Sequence, residues 1–295
     1  MSRMTTRRAM DMAGAAGLFG FSTLLAFNQV VIKVTNAGFS PVFAAGLRSV
    51  ISLAVIGLWL LLRRRSLGAM RRSVGGGLLV GLFFSAEFLM LFTALDLTTV
   101  ARASIIFYSM PVWLALAAHF VLPGERLSPV RALGLGLAML GVAWALYDPG
   151  SQGFGDWRGE ALALAAALCW AGIALTLRLS RVSEIPPEGQ LVWQLAVSAL
   201  VLTAVAPLFG PVLRAPEALH VTGLVFQGVA VSGLGFLAWL FLLSRYRASD
   251  VAAFSFLSPV LAVGMGWALL DEPVGPGLLG ALALVAVGVV LINRR

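Results

Sequence analysis

Two ionisable residues lie inside long apolar stretches of this sequence. Arg48 is eight residues from the start of one stretch, and Glu87 is seven from the end of the next. A charge at the centre of a bilayer costs roughly 2.5 to 3.5 kcal/mol on insertion scales, so each needs a reason. Because their depths match, the two side chains could pair and lower each other's burial cost. We expect either an ion pair between two helices or a charged contact with a bound solute.

Other polar and aromatic residues inside the apolar stretches could complete a site for a small zwitterion. Such a solute needs donors for its carboxylate, acceptors for its ammonium and an apolar or aromatic wall for its side chain. With Arg48 and Glu87, the predicted binding residues are Asn28, Gln29, Tyr108, Trp170, Gln227 and Trp239. Gln194 is a further candidate, whereas neighbouring Trp193 is more typical of a membrane interface.

Pro111 and Pro259 lie near the middle of two further apolar stretches. Proline has no N–H and frees the carbonyl four residues earlier, here those of Phe107 and Ser255. Kinked helices with free carbonyls can line a cavity or act as hinges, although membrane helices also tolerate proline without consequence. Because the kink recurs in both halves of the chain, we predict that both prolines are hinges.

The composition is that of a membrane protein. The 295 residues are 60% hydrophobic and 12% charged, with a mean hydropathy of +0.95, which excludes a water-soluble globular domain. Continuous apolar runs of about 20 residues cross a bilayer as helices, since lipid offers no partner for an open backbone. The predicted fold is therefore all-α, with ten transmembrane helices: Met12–Val34, Ser40–Leu62, Val74–Ala94, Val100–Leu122, Val130–Tyr147, Gly159–Leu179, Leu191–Phe209, Leu219–Leu243, Val251–Leu270 and Gly275–Ile292.

The sequence lacks the features that are typical of several functional classes. The net charge of +8 sits in short loops, so it reflects topology, and we expect no nucleic-acid partner. Cys169 has no second cysteine to bond, and the two histidines lie in separate segments without an HExxH or GxSxG pattern. We therefore expect no enzymatic activity, no metal site and no cofactor.

The loop charges predict the orientation. With the N-terminus in the cytoplasm, 16 Lys and Arg residues fall on the cytoplasmic side and 4 on the other, and Arg48 completes the 21. The predicted location is the bacterial inner membrane, with both termini cytoplasmic. Arg3, Arg7 and Arg8 before an apolar run could also indicate a signal peptide, but that run is longer than a signal core.

The chain contains an internal repeat of about half its length. Offsets of 148 and 147 residues superpose matching positions along the two halves. The matched residues are Phe88, Leu89, Pro111, Glu125, Pro129, Gly141 and Val142 with Phe236, Leu237, Pro259, Glu272, Pro276, Gly288 and Val289. We predict two five-helix repeats, 1–147 and 148–295, and the odd helix number inverts the second. Inverted repeats are a common plan of secondary transporters, with the solute site where the halves meet.

The sequence resembles the drug/metabolite transporter superfamily in its ten-helix EamA form. The resemblance covers nearly the whole chain and rests on the order and duplication of loose motifs. These are Arg48, Ala94-Leu95 through Pro111, Gly124-Glu125-Arg126-Leu127, Gly141-Val142, Ser258-Pro259, Asp271-Glu272-Pro273 and Gly288-Val289. Within the superfamily the chain looks most like the YddG-type exporters. That resemblance implies export of aromatic and other neutral amino acids through a central cavity that alternates between the membrane faces.

The expected function is thus an amino acid exporter in the lipid bilayer, whose partner is a small-molecule solute. A proton-coupled multidrug exporter is the alternative, because a lone buried carboxylate such as Glu87 could exchange protons for cations. Another metabolite exporter of the superfamily also remains open, although a phosphorylated solute would need more basic groups at mid-depth than Arg48 alone. Spans five and ten are rich in glycine, which predicts close helix packing or a dimer contact, so both monomer and homodimer remain open.

Overall fold

The computed structural model describes residues 11–65, 68–122, 127–147, 156–246 and 257–293, and these ranges are almost entirely helical. An isolated antiparallel β-bridge joins Phe39 and Leu213. Within these described ranges, nine helical segments are long and apolar enough to cross a membrane, and Leu257–Leu270 is a shorter apolar helix. The helices are α1 Met12–Asn36, α2 Pro41–Leu62, α3 Val74–Leu97, α4 Val100–Phe107, α5 Met110–Val121, α6 Pro129–Tyr147, α7 Trp157–Leu179, α8 Pro187–Val205, α9 Ala218–Phe226, α10 Phe236–Arg245, α11 Leu257–Leu270 and α12 Pro276–Asn293.

The predicted all-α membrane fold is confirmed, and the spans fall within a few residues of their predicted bounds. The exception is the start of span nine, which was predicted at Val251 and lies outside the described residues.

Capping groups fix several helix starts. Asp11 accepts a hydrogen bond from Gly14 N at 2.7 Å to begin α1, and Thr99 accepts one from Arg102 N at 3.2 Å to begin α4.

The fourth span is divided at its middle. Helix α4 ends at Phe107, and α5 begins at Met110 with Pro111 in its first turn. The missing N–H of Pro111 makes this residue suited to a helix start and unsuited to a helix interior. The break follows Phe107, the residue whose carbonyl Pro111 was predicted to free. The corresponding Pro259 lies in the first described turn of α11, whereas Ser255 falls outside the described residues.

The eighth span is also interrupted, in a way that the sequence did not predict. Between α9 and α10, residues Gln227–Gly235 form a π-helix. The backbone of this wider helix approaches α2 closely, because a Cβ on Gly228 would lie 2.6 Å from Ile51 Cβ. Ser52 Oγ of α2 bonds to the Gly228 carbonyl at 3.0 Å. The π-helix therefore packs directly on α2 and so connects the second half of the chain to the first.

The helix contacts repeat when the two halves are exchanged. Helix α2 packs on α8, and α6 packs on α12, each against the equivalent span of the other half. The contact of α3 with α7 has its counterpart in the contact of α1 with α9, and that of α1 with α11 has its counterpart in α5 with α7. This is the contact pattern of a duplicated arrangement. The division of the chain between residues 147 and 148 stays a prediction, since residues 148–155 lie outside the described part.

The glycines of spans five and ten bring α6 and α12 into backbone contact. A Cβ on Gly288 would lie 2.5 Å from the Gly134 carbonyl oxygen, and one on Gly134 would lie 2.8 Å from the Gly288 carbonyl oxygen. Neither position has room for a side chain. The predicted close packing of these spans is therefore confirmed within one chain, and α6 and α12 do not line the cavity described below.

We predict the orientation of this bundle from its loop charges. A reporter fused after Arg72, between α2 and α3, should report a cytoplasmic location. A reporter fused after Pro216, between α8 and α9, should report the opposite side. Alkaline phosphatase and green fluorescent protein fusions at both points measure this. The same location for both fusions would contradict an odd number of spans between them.

Candidate functional site

A cavity of about 340 Å³ lies between the two halves at the middle of the spans. Its wall is formed by eight spans, with contributions from both halves of the chain. Seven of the eight predicted binding residues line it, together with Gln194 and Pro111. Those seven are Asn28, Gln29, Arg48, Glu87, Tyr108, Trp170 and Trp239.

Aromatic side chains form two stacked pairs on the wall. Phe107 and Trp170 stack with ring centroids 4.9 Å apart, and Tyr108 meets Trp170 edge-on at 6.1 Å. Phe21 and Trp239 form the second stacked pair, also at 4.9 Å. The break between α4 and α5 places Phe107 and Tyr108 on the wall. These flat faces suit an apolar or aromatic ligand group.

Arg48 presents the only cavity-lining cation among the described residues. Its side chain is 1% exposed, and its guanidinium carbon lies 3.6 Å from the centroid of the Phe88 ring. Phe92 and Phe84 are also near, at 5.3 and 6.0 Å. Phe84, Phe88 and Phe92 recur every four residues and so share one face of α3. The arginine is thus held over an aromatic face by cation–π contact.

The expected ion pair between Arg48 and Glu87 is not formed in the described residues, where no contact within 4.0 Å joins them. The reason lies in α3, because Glu87 is one residue before Phe88 and points about 100° away from it around the helix. Both residues line the same cavity. Because they do not bond to each other, each is available to contact a molecule bound in the cavity.

Several buried polar atoms at this wall have no hydrogen-bond partner among the described residues. They are Nε and Nη2 of Arg48, Oδ1 of Asn28, Oε1 of Gln29 and Oγ of Ser232. The Tyr108 hydroxyl interacts with the side chains of Gln29 and Ser258. Buried polar groups without partners are costly, and a cluster around one cavity is typical of a site that binds a polar ligand or water.

Gln227 is the predicted binding residue that does not line the cavity. It begins the π-helix, is completely buried, and donates from Nε2 to Thr35 Oγ1 of α1 at 2.9 Å. This bond points it toward α1 and away from the cavity. Its contact joins the two halves of the bundle.

The sequence did not identify most of the apolar lining. Phenylalanines inside apolar runs are indistinguishable from core residues, and no polar signal marks their side of the helix. The lining residues that the sequence missed are Phe21, Ser22, Leu25, Phe84, Phe88, Leu91, Phe107, Met110, Ile173, Val231, Ser232, Phe236 and Ser258. The four-residue spacing of Phe84, Phe88 and Phe92 is a signal that could have indicated an aromatic face.

Polar contacts join several helices at the end of the bundle where α1 finishes and α4 starts, the predicted outer end. The Glu272 carboxylate accepts from Val100 N at 2.8 Å and Ala101 N at 3.1 Å, and so caps α4. Lys33 Nζ lies 3.9 Å from Glu272 Oε1 and donates to the Thr98 carbonyl at 2.5 Å. These contacts fasten α1, α4 and the segment between α11 and α12 to one another.

Two further ion pairs lie at the same end. Arg102 of α4 and Glu160 of α7 are both buried, with Nε and Oε1 2.5 Å apart, and Arg102 Nη2 donates to the Ala145 carbonyl at 2.8 Å. Arg214 Nη1 donates to both carboxylate oxygens of Asp96, at 2.8 and 2.9 Å, in a partly exposed pair. Charged contacts thus join α4 to α7, and α3 to the segment after α8, at this end of the bundle.

The described residues contain no group of three or more His, Cys, Asp or Glu side chains that could hold a metal ion. What the arrangement can do is enclose a small molecule with one cationic wall group, one carboxylate, amide acceptors and aromatic faces.

Comparison with known proteins places both halves of the chain in one family. The EamA-like transporter family matches residues 12–147 and again 157–294. The chain is 24% identical to the uncharacterized transporter YoaV of Bacillus subtilis, over 92% of this chain and 94% of that one. It is 28% identical to a probable amino-acid metabolite efflux pump of Escherichia coli, over 88% and 87% of the two chains. A solved crystal structure with 24% identity shares the fold, with a TM-score of 0.66 over 94% of this chain and 96% of that one.

Proposed function

This chain belongs to the EamA-like transporter family and is a multi-pass membrane transporter, and we propose that it exports aromatic and other neutral amino acids. In this proposal the substrate binds in the central cavity, which alternates between the two faces of the bacterial inner membrane. The YddG-type exporters are the subgroup it most resembles.

The observation that carries this proposal is the composition of the cavity wall. Stacked aromatic pairs such as Phe107 with Trp170 offer an apolar surface for a side chain. Unpartnered atoms on Arg48, Asn28 and Gln29 offer both donors and acceptors beside it. A neutral amino acid carries these complementary groups, an anionic carboxylate, a cationic ammonium and an uncharged side chain. The similarity to an amino-acid metabolite efflux pump supports the same substrate class.

The symmetry of the bundle supports alternating access as the mechanism. The central contacts of α1 with α11 and of α5 with α7 are equivalent in the two halves, so an exchange of their geometries would reverse the accessible face. The polar contacts of Glu272 join α4 to the segment between α11 and α12 at the predicted outer end. Pro111 and Pro259 would serve as hinges, since each lies in the first described turn of a half-span.

A proton-coupled multidrug exporter is the second candidate, and one observation favours it. Glu87 is 4% exposed, lines the cavity and makes no ion pair with Arg48 within 4.0 Å. A carboxylate of this kind could bind a lipophilic cation and a proton alternately, and so exchange one for the other.

Uptake into proteoliposomes across a panel of solutes separates the two candidates. We expect phenylalanine, tryptophan and leucine to accumulate above protein-free vesicles, and cationic dyes and sugar nucleotides to remain outside. Movement of dyes alone would contradict amino acid export and support the multidrug function. Movement of sugar nucleotides alone would contradict both.

Replacing Pro111 with Ala tests the hinge. Alanine restores the N–H that a continuous helix needs, so the division between α4 and α5 should diminish and transport should slow several-fold with little loss of folded protein. Initial transport rates and thermal stability in detergent measure the two effects. Pro216→Ala, in a connecting segment, is the matched control. An equal fall in rate and stability would assign Pro111 a structural role alone.

A further inference from the structure

The guanidinium of Arg48 is a buried charge with a firm position and an incomplete set of partners. Its side chain is 1% exposed, and its guanidinium carbon lies over the Phe88 ring, 3.6 Å from the ring centroid. The N–H groups of a guanidinium lie in its plane, so a partner on the ring face leaves the in-plane donors available. Two of those nitrogens, Nε and Nη2, are buried without a hydrogen-bond partner among the described residues.

The surrounding protein does not complete these donors. Glu87 is the other charged residue of the wall, yet no contact within 4.0 Å joins it to Arg48 in the described residues. Buried charges are stable when they are both paired and hydrogen-bonded. An acceptor from outside the protein, bound in the cavity, would supply what the wall lacks.

We infer that Arg48 is the specificity-determining residue of the cavity, and that it selects solutes carrying a carboxylate, which it binds through its in-plane N–H groups. This inference rests on the proposed function and specifies how the substrate is oriented. A carboxylate matches the fork of a guanidinium with two parallel hydrogen bonds. A phosphate group is disfavoured, because Arg48 is the single cation on the described wall and a doubly charged group would be left partly unbalanced.

The other unpartnered atoms bind the opposite end of the substrate, its ammonium group. Asn28 Oδ1 and Gln29 Oε1 lie on α1, whereas Arg48 lies on α2. Both are acceptors, which suits an ammonium and not a carboxylate. The substrate side chain then lies against the aromatic pairs. The donors and acceptors on separate helices thus recognise the two ends of an amino acid independently.

Four related ligands test this inference on the purified, full-length protein. L-Phenylalanine and 3-phenylpropionate carry the carboxylate, while phenylalaninamide and phenethylamine lack it. The wild-type protein should bind the first pair more tightly than the second in isothermal titration. Arg48→Met should weaken phenylalanine and 3-phenylpropionate by at least about tenfold, and change the two amines by less than about twofold.

Two further variants make the result decisive. Arg63→Met, at an exposed position after α2, removes the same group outside the cavity and should leave all four affinities unchanged. Arg48→Lys keeps the charge without the fork, so it replaces Arg48→Met in the test if the Met variant does not fold, and it should bind carboxylates more weakly than wild type. Equal weakening of all four ligands, or phenylalanine affinity unchanged in both Arg48 variants, would overturn the inference. A wild-type protein that binds none of the four would instead overturn the proposed function.

Discussion

Replacing Arg102 with Met should destabilise the protein by about 3 to 5 kcal/mol, because it leaves the buried Glu160 carboxylate without its partner. Both side chains are less than 8% exposed, and the Ala145 carbonyl also loses its donor. Thermal unfolding in detergent, followed by the loss of monodisperse protein, measures the change. The sequence analysis placed Arg102 near the outer start of the span Val100–Leu122 without a partner, so this expected effect comes from the structure.

The double variant Arg102→Met with Glu160→Met provides the decisive comparison. Removing both members of a buried pair should recover most of the lost stability, since no unpaired charge remains. Arg214→Met is the matched control, because its pair with Asp96 is partly exposed and should be worth about 1 kcal/mol or less. Equal losses for Arg102→Met and Arg214→Met would contradict the buried pair.

Replacing Gly288 with Val should destabilise the protein by about 3 kcal/mol or more, because the added Cβ meets backbone atoms that cannot rotate away. It would lie 2.5 Å from the Gly134 carbonyl oxygen and 2.6 Å from Ala138 Cβ. Helices α6 and α12 must then separate along their whole contact. The same detergent unfolding assay should show a lower midpoint together with a reduced yield of folded protein.

Gly136→Val is the control for this change. It introduces the same residue into α6, where a Cβ would have no atom within 4 Å, so it carries the same change in helix propensity without the clash. Its stability should fall by less than about 1 kcal/mol. If Gly136→Val were as damaging as Gly288→Val, the close contact of α6 and α12 would not be the cause.

Much of the fold could be predicted from the sequence because membrane insertion imposes a minimum apolar length. Proline at position 111 also indicated the break between α4 and α5, since a missing N–H is a local property. The π-helix at Gln227–Gly235 could not be predicted. Inside a continuously apolar run, a change from 3.6 to more residues per turn leaves no polar pattern to reveal it.

The polar part of the candidate site was predictable for a different reason. A polar residue such as Asn28 or Gln29 in an apolar span is conspicuous, and most of those residues meet at one cavity. Depth along a helix follows from counting residues, but the direction of a side chain around the helix depends on packing. Arg48 and Glu87 therefore both line the cavity, but the ion pair that was one of their two expected roles is not formed within 4.0 Å, and Gln227 was assigned to a cavity that it does not line.

The most direct test of amino acid transport through this cavity is counterflow in proteoliposomes with the cavity filled. Leu25 lines the cavity, so Leu25→Trp should occupy part of its volume, whereas Leu200→Trp adds the same bulk at a site that is 73% exposed. With unlabelled phenylalanine inside, we expect labelled phenylalanine to accumulate with wild type and Leu200→Trp, and at least about tenfold more slowly with folded Leu25→Trp. Equal accumulation with Leu25→Trp and wild type, or none with wild type, would contradict transport through this cavity.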